Sequence, residues 1–283
     1  MSTLTELIKE LREKTGAGFL DCKKSLEENN NDVEKSIEAL RTKGLAKASK
    51  KSDRAANEGA VGVYANKDIT VIIKVNSETD FAAKSDTFLD FLDALGKIIL
   101  DNNNNLDKNQ FLNLKHDKGT VQDYFNSMIA KIGENLILND LIIKKNKDSH
   151  YSFYIHNSYR KNIGKIISLI EYSCSKINSE TEKLSKNLCM HIAAMKPESI
   201  DIIDLDKKLI DNEEKIQREL ILKSGKPSNI IDKILEGKMK KFFSEVTLFN
   251  QSYILDQDKT IKEIIDENSE LNFKLISFEL INL

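Results

Sequence analysis

The spacing of apolar residues changes from a helical period to an alternating one near residue 60, so the chain combines helices with strands. Alternation over two short runs is typical of strands with one buried face. The polar break Asn66–Asp68 between the runs predicts a β-hairpin. The alternating positions are Val61, Val63, Ile69, Val71, Ile73 and Val75. This pattern predicts an α+β fold.

The first forty residues predict three short helices. A Thr3-x-x-Glu6 capping box precedes the first helix, and Asp32 is placed to cap the third. Gly16 and Gly18 bracket the turn between the first two helices. The apolar positions at helical spacing are Leu4, Leu7, Ile8, Leu11, Cys22, Leu26, Val33, Ile37 and Leu40. They form a seam on which a small helical bundle can pack.

A basic segment at 42–57 separates these helices from the strands. The apolar content falls there while cations accumulate at Lys43, Lys47, Lys50, Lys51 and Arg54. Without interleaved aromatic residues these cations are a weak signal for nucleic acid. We interpret the segment as a solvated linker, with a helical conformation as one option.

Strands followed by a helix occur twice, which predicts a core of two similar α/β halves. Leu271–Leu280 alternates enough to form a last strand. Further helices are expected at Phe88–Ile99, from Thr120 to about Leu138, and from a Ser179-x-x-Glu182 cap to Pro197, and a second hairpin at Tyr151–Ile155 and Ile163–Tyr172.

Two amphipathic helices flank Gly225-Lys226-Pro227, which predicts a helical hairpin inserted in the second half. The expected domains are a three-helix domain at 1–41, the linker at 42–57, a first core subdomain at 58–144, a second core subdomain at 145–205 and 244–283, and the hairpin at 206–243.

Composition excludes several classes of function. The 43 basic residues nearly balance the 45 acidic ones, so no net field draws the chain to nucleic acid. The cysteines Cys22, Cys174 and Cys189 are widely spaced, which favours free thiols in a reducing compartment. No signal peptide or membrane-spanning run is found, so we expect a cytoplasmic protein that does not contact a membrane.

The sequence contains no catalytic motif. It lacks phosphate-binding glycine loops, H-E-x-x-H and G-x-S-x-G, so we expect no catalytic residue and no cofactor. Cys189 and His191 are two residues apart on a predicted helix and face different sides, so we expect no metal site. For His191 we favour a structural role with a satisfied hydrogen bond. The histidines are His116, His150, His156 and His191.

The segment Val75–Lys84 is the most informative part of the sequence. A strand ends there, a polar turn follows, and a large apolar side chain begins a helix. Taken alone, Thr79 or Asp80 is a helix N-cap and Phe81 is a hydrophobic staple that packs on the core. A surface role for Phe81 is the alternative.

Several long stretches resemble the elongation factor Ts family, and together they span most of the chain. Two of them are specific on their own, Leu11–Lys24 and Asn76–Lys84. Further similarity, in the family's order, lies at His191–Glu198, Ser224–Pro227 and Glu236–Phe242.

The resemblance implies both fold and function. Members of the family have an N-terminal three-helix domain similar to ubiquitin-associated (UBA) modules, two related α/β subdomains with antiparallel sheets, and an inserted coiled-coil hairpin. They are nucleotide-exchange factors for elongation factor Tu, a GTPase of translation elongation. The implied partner of this chain is therefore elongation factor Tu, and no nucleic acid is implied.

The resemblance also implies roles for individual residues. The turn Thr79–Ala82 corresponds to the one that contacts the GTPase, where the aromatic residue, here Phe81, wedges between partner helices and disturbs the Mg²⁺ site. Further partner contacts are implied for Arg12, Phe19, Leu20 and His156, and the histidine is directed at the phosphate-binding loop.

This chain departs from the family at some of these positions. Phe19 and Leu20 stand where methionines are common, and Ala82 stands where valine is frequent. The family usually has glycines soon after the histidine, whereas here His156 is followed by Asn157–Asn162 before Gly164.

Two other classes of function remain open on the residues alone. The N-terminal helices are compatible with an adaptor that binds a peptide or a ubiquitin-like surface. A catalytic α/β enzyme would need converging titratable groups, which the sequence does not indicate.

Overall fold

The computed structural model describes residues 3–102, 105–117, 119–147, 149–224, 227 and 230–283. It divides into two compact units. The first comprises Met1–Asn146, Asn157–Ile166 and Ile281–Leu283, and the second comprises Lys147–His156 and Ile167–Leu280.

The first unit contains the N-terminal helices and an antiparallel sheet. Its elements are α1 (Leu4–Thr15), α2 (Phe19–Glu28), α3 (Val33–Ser49), β1 (Glu58–Ala65), β2 (Ile69–Ser77), α4 (Asp80–Ala83), α5 (Asp86–Asn102), α6 (Lys108–Leu112), β3 (Lys115–His116), β4 (Gly119–Thr120), α7 (Val121–Ile132) and β5 (Ile137–Lys145).

Three of the later strands, at 150–160, 163–173 and 274–282, contribute residues to both units, and the remaining elements lie in the second. These are β6 (His150–Arg160), β7 (Ile163–Ser173), α8 (Ser179–Met195), α9 (Lys207–Lys223), α10 (Ile231–Val246), β8 (Ser252–Tyr253), β9 (Asp256–Thr260), α11 (Ile261–Glu267) and β10 (Lys274–Asn282). The predicted α+β fold class is confirmed.

The first two N-terminal helices form where the sequence predicts, and the third begins at Val33 as predicted but continues into the basic segment. The capping box between Thr3 and Glu6 is formed, and Gly16 ends α1 in the left-handed region at φ 66°. The Asp32 side chain caps α3. Four residues of the predicted seam, Ile8, Leu11, Cys22 and Leu26, are buried, and the other five, Leu4, Leu7, Val33, Ile37 and Leu40, are partly buried against them.

Helix α3 continues to Ser49 and packs on α7. Gly44 is buried in this contact, and a methyl group added there would lie 3.6 Å from Cβ of Ala130. Arg41 of α3 donates to Asp123 of α7 at 2.7 Å. The start of the predicted linker is therefore part of a packed helix.

The cations of the basic segment are engaged in contacts. Lys47 donates to Asp21 at 3.0 Å, and Lys51 donates to the backbone carbonyl of Gly133. Arg54 pairs with the Glu78 carboxylate at 3.5 Å. Four of the five cations, Lys43, Lys47, Lys51 and Arg54, thus have carboxylate or carbonyl partners within the first unit.

The β1–β2 hairpin forms the centre of the sheet in the first unit. The strands pair antiparallel from Glu58 opposite Ser77 to Ala65 opposite Thr70, as the alternation predicts. Strand β5 pairs antiparallel with the outer side of β2, and the start of β7 pairs with β1. Helix α5 contributes a buried stripe to this core, namely Phe88, Phe91, Leu92, Leu95 and Ile99.

Arg160 fixes the N-terminal half of α5. Its guanidinium contacts Asp86 at 3.0 Å, Asp90 at 2.6 Å and Asp93 at 3.2 Å. Asp93 also accepts a hydrogen bond from the hydroxyl of Tyr64 in β1 at 3.1 Å. Because α5 directly follows α4, these contacts hold the structure behind the turn that carries Phe81.

Helix α7 ends at Ile132, so the prediction that it extends to about Leu138 is wrong. Gly133 adopts φ 87° and ends the helix in the left-handed region. Leu136 is buried before β5 begins and is not a helical residue. Leu136 continues the three- or four-residue spacing of the apolar residues in α7, although it belongs to the segment that leads into β5. The spacing alone therefore looks helical beyond the true end of the helix.

In the second unit, β7 pairs with both β6 and β10. The cap of α8 is Asn178 and not Ser179 as predicted, and its side chain accepts from the N–H groups of Glu180 and Thr181. The core of this unit contains Ile170, Tyr172, Leu184, Leu188, Cys189, Ile192, Leu248, Tyr253, Ile261, Leu271 and Phe273.

The predicted helical hairpin is formed by α9 and α10. Arg218 of α9 contacts Asp232 of α10 at 3.1 Å. Of the predicted turn, Gly225 and Lys226 lie outside the described residues. The two helices share an apolar cluster of Ile210, Ile221, Ile231, Ile234, Leu235, Met239, Phe242 and Phe243.

Candidate functional site

The turn that joins β2 to α5 is built around Thr79. Its hydroxyl accepts a hydrogen bond from the N–H of Ala82 at 3.2 Å and so caps the one-turn helix α4. The Ser77 hydroxyl donates to the Thr79 carbonyl at 2.9 Å. Ala82 and Ala83 are buried and anchor α4 on the first unit. The N-cap prediction is confirmed for Thr79.

Phe81 projects from this turn into solvent, with 84% of its surface exposed. The interpretation of Phe81 as a staple on the core is therefore wrong. The inward face of α4 is taken by Ala82 and Ala83, which leaves the aromatic ring on the outward face. A large apolar side chain that a fixed turn holds in water is suited to insertion into a partner surface.

Asp80 lies beside Phe81 and is held by a local ion pair. Lys84 donates to Oδ2 of Asp80 at 2.8 Å. This hydrogen bond, with the charges of Lys84 and Lys165, lowers the pKa of the Asp80 carboxyl. Exposed pairs of this kind add little stability. The pair with Lys84 instead keeps the charged Asp80 carboxylate in one position next to the Phe81 ring.

Two carboxylates connect the turn to the loop between α7 and β5. Glu134 accepts from the Thr79 N–H at 3.0 Å and from the Thr79 hydroxyl at 2.6 Å. The second carboxylate, Glu78, lies on the turn itself. It accepts from the N–H of Asn135 in the loop at 2.7 Å and pairs with Arg54 at 3.5 Å. Sequence reasoning missed these residues, because no local pattern signals a contact between segments that are 55 residues apart.

Arg12 and Phe19 line an open groove on the N-terminal helices. The groove has a volume of about 550 Å³, and Lys131 of α7 contributes to its wall. Phe19 is 48% exposed and the neighbouring Leu20 is 79% exposed. Exposed apolar side chains beside a cation form a surface that a protein partner could cover.

His156 lies in the second unit, on β6. It is exposed, and the Tyr154 hydroxyl lies 3.4 Å from its Nδ1. The strand does not end at His156 as predicted. It continues to Arg160, with Asn157 in the left-handed region at φ 51°.

The first unit thus brings together most of the predicted site residues in two places. Thr79, Asp80, Phe81 and Ala82 form one turn, and Arg12 and Phe19 share one groove. Across the described ranges, no cluster of three or more histidine, cysteine or acidic side chains is placed to hold a metal ion. No helix among the described residues is long and apolar enough to span a membrane.

His191 is a buried residue of α8 with structural partners. Its Nδ1 accepts from the N–H of Ile254 at 3.4 Å, so the proton of the neutral ring lies on Nε2, which is 2.9 Å from the Gln251 side-chain oxygen. Burial lowers the pKa of His191, and the hydrogen bond with Gln251 opposes this shift in part. The structural interpretation of His191 is confirmed.

This environment predicts a loss of stability in mild acid. The unfolded chain binds a proton at His191 near its usual pKa of about 6.5, whereas the folded chain resists protonation. Stability from this residue is therefore fully present above about pH 6.5 and falls as the pH drops, by at most about 1.4 kcal/mol per pH unit.

The measurement is urea unfolding between about pH 7.5 and 5.5. We expect His191→Gln to flatten the pH dependence of the free energy of unfolding. An equal slope in the wild type and His191→Gln would contradict the prediction.

The chain is similar to known proteins over most of its length. The family model described as Elongation factor TS matches residues 78–283. Elongation factor Ts of Rhizobium etli is 38% identical over 268 residues, which cover 94% of this chain and 87% of that protein.

Other relatives match to a similar extent. Elongation factor Ts of Sinorhizobium fredii is 36% identical over 267 residues, with 94% of this chain and 87% of that protein covered. That of Rhodospirillum centenum is 36% identical over 260 residues, with 92% and 85% covered. With the family model matching well over half of its length and these relatives nearly all of it, the chain belongs to the elongation factor Ts family.

Proposed function

We propose that this chain promotes GDP release from elongation factor Tu and that the turn Thr79–Ala82 disturbs the Mg²⁺ and phosphate site of that GTPase. As an elongation factor Ts, the chain is a nucleotide-exchange factor in translation elongation and not a catalytic enzyme. The observation that supports a working role for the turn is the 84% exposure of Phe81 on a capped and anchored backbone. The chain would act in the cytoplasm.

The exchange needs no covalent chemistry. A GTPase holds its nucleotide through backbone amides and a lysine on the phosphates and through a bridging Mg²⁺. The factor must bind the nucleotide-free GTPase more tightly than the GDP-bound one. By thermodynamic linkage, the factor weakens GDP binding as much as GDP weakens binding of the factor.

The magnitudes require a broad interface. A shift of about 10⁴ in the nucleotide equilibrium needs about 5.5 kcal/mol of differential binding. Burial of one phenylalanine contributes about 1.5–3 kcal/mol. Phe81 therefore cannot supply the whole effect. The remainder must come from other surfaces.

We assign that remainder to the predicted contacts outside the turn. Arg12, Phe19 and Leu20 offer a cation and two exposed apolar side chains on the N-terminal helices. His156 offers an exposed imidazole that can donate to a phosphate or to the loop that binds it. In this proposal the apolar contacts provide affinity, and Phe81 and His156 act on the nucleotide site.

The test is the rate at which fluorescent GDP leaves a bacterial elongation factor Tu, with and without this protein, at matched Mg²⁺. We expect strong acceleration that saturates as the factor concentration rises. No acceleration from a folded factor on an active GTPase would overturn the proposal. The adaptor hypothesis would then be tested by asking which proteins bind the N-terminal helices.

A further inference from the structure

We propose that Glu134 is a positioning residue for exchange, which fixes the Thr79 cap and through it the direction of Phe81. The inference rests on the proposed function of the Phe81 turn. It assigns a role to a side chain that lies 53 positions along the chain from Phe81 and that sequence reasoning did not identify.

The argument begins with the polar groups of Thr79. Glu134 receives both of its donors, the N–H at 3.0 Å and the hydroxyl at 2.6 Å. The hydroxyl in turn accepts from the N–H of Ala82. With its proton directed at Glu134, the hydroxyl oxygen presents its lone pairs to α4. One carboxylate therefore orients the cap and the helical turn that follows it.

Phe81 depends on this cap more than a buried residue would. Because the ring is 84% exposed, little side-chain packing restrains it. Its direction is set by the backbone of α4, which contains only Asp80–Ala83. A helix of one turn is not stable by itself and requires external contacts. These are the burial of Ala82 and Ala83 and the hydrogen bonds of Thr79.

The residues on both sides of Glu134 are held by hydrogen bonds. It follows Gly133, whose carbonyl accepts from Lys51. It precedes Asn135, which is 3% exposed and donates from Nδ2 to the backbone carbonyls of Ser52 at 3.3 Å and Arg54 at 2.8 Å. The loop is thus tied to the segment after α3.

The consequence is pre-organisation of the contact with elongation factor Tu. A turn already ordered in the free factor avoids the entropy cost of ordering on binding, and it presents the ring in the inserting direction. Without Glu134, the factor would still dock through its other surfaces. Insertion of Phe81 would become less frequent.

The first experiment measures the order of the turn directly. The chain contains no tryptophan, so Phe81→Trp introduces a single tryptophan at the exposed position, which can be excited selectively over the 7 tyrosines. Time-resolved anisotropy then separates local motion of residue 81 from overall tumbling. We expect Glu134→Ala to increase the amplitude of the local motion and Glu134→Gln, which keeps one acceptor, to increase it less. The control is Glu38→Ala, which removes an exposed carboxylate from α3.

The second experiment measures GDP release from elongation factor Tu over a range of factor concentrations, with Phe81 in place. We expect Glu134→Ala to lower the rate at saturation about tenfold, equivalent to about 1.4 kcal/mol and close to the lower end of the range for a hydrogen bond to a charged group. The half-saturating concentration should change less than threefold. Glu134→Gln should restore part of the rate.

A double-mutant cycle separates positioning from a general structural role. If Glu134 acts through Phe81, Glu134→Ala adds little to the defect of Phe81→Ala. Additive effects, or unchanged anisotropy in the Glu134→Ala protein, would overturn the inference. Failure of the wild type to accelerate release would instead overturn the proposed function, and the anisotropy measurement would still decide whether Glu134 orders the turn.

Discussion

Replacing Phe81 with alanine is expected to slow GDP release from elongation factor Tu by about tenfold to a hundredfold at saturating factor. The range follows from losing about 1.5–3 kcal/mol of apolar burial, with a factor of ten for each 1.36 kcal/mol. The complex should remain detectable, because the surface around Arg12, Phe19 and Leu20 is untouched. Stopped-flow release of fluorescent GDP measures the rate, and calorimetry measures the affinity.

A matched control is available in the second unit. Ile203 is 89% exposed, comparable to Phe81, and lies outside every predicted contact. Ile203→Ala should leave release unchanged. Folding is not at risk in either variant, since neither side chain is part of a core. Equal release rates for Phe81→Ala and the wild type would show that the Phe81 side chain does not contribute to GDP release.

Replacing Gly59 with alanine is expected to cost about 3 kcal/mol of stability, the sum of backbone strain and overpacking. Gly59 has φ 145°, where L-residues are strained. A methyl group there would lie 2.2 Å from the carbonyl oxygen of Val75 and 2.8 Å from Cα of Asn76. Strand β1 would have to move away from β2 just before the Phe81 turn. Urea unfolding checks the total effect, and hydrogen exchange of β1 and β2 locates it.

Gly237→Ala provides the opposite control. Gly237 lies within α10, and nothing is found within 4 Å of an added Cβ. Alanine is the better helix former by about 0.8–1 kcal/mol, so this variant should be slightly more stable. A Gly59→Ala protein as stable as the wild type would mean that β1 tolerates a side chain at this close approach.

Local signals in the sequence predicted most of the elements. The β1–β2 hairpin follows from strict alternation around Asn66–Asp68, and α1 follows from the Thr3 capping box. Errors arose where two signals overlapped. The apolar spacing that led to Leu136 masked the glycine that ends α7, and Asn178 competed with Ser179 as a cap. The domain boundaries stay a prediction.

The site could be predicted only in part. The composition of Asn76–Lys84 identified the turn, but a phenylalanine after an N-cap can face the core or the solvent. Burial of Ala82 and Ala83 decides this, and it depends on the sheet below them. Likewise, the pairing of Glu134 with Thr79 is tertiary, and Glu134, unlike Thr79, carries no periodic or motif signal. The structure was needed to connect them.

The packing of α3 on α7 has a consequence for avidity. A flexible tether would let the N-terminal helices search a large volume after the Phe81 turn had engaged, which lowers their effective concentration at the second contact. The buried approach of Gly44 to Ala130 and the bond from Lys51 to Gly133 instead keep both surfaces in one rigid frame. Under the proposed function, binding at one of the two surfaces would bring the other into alignment, so the two surfaces would bind the GTPase as one bivalent unit.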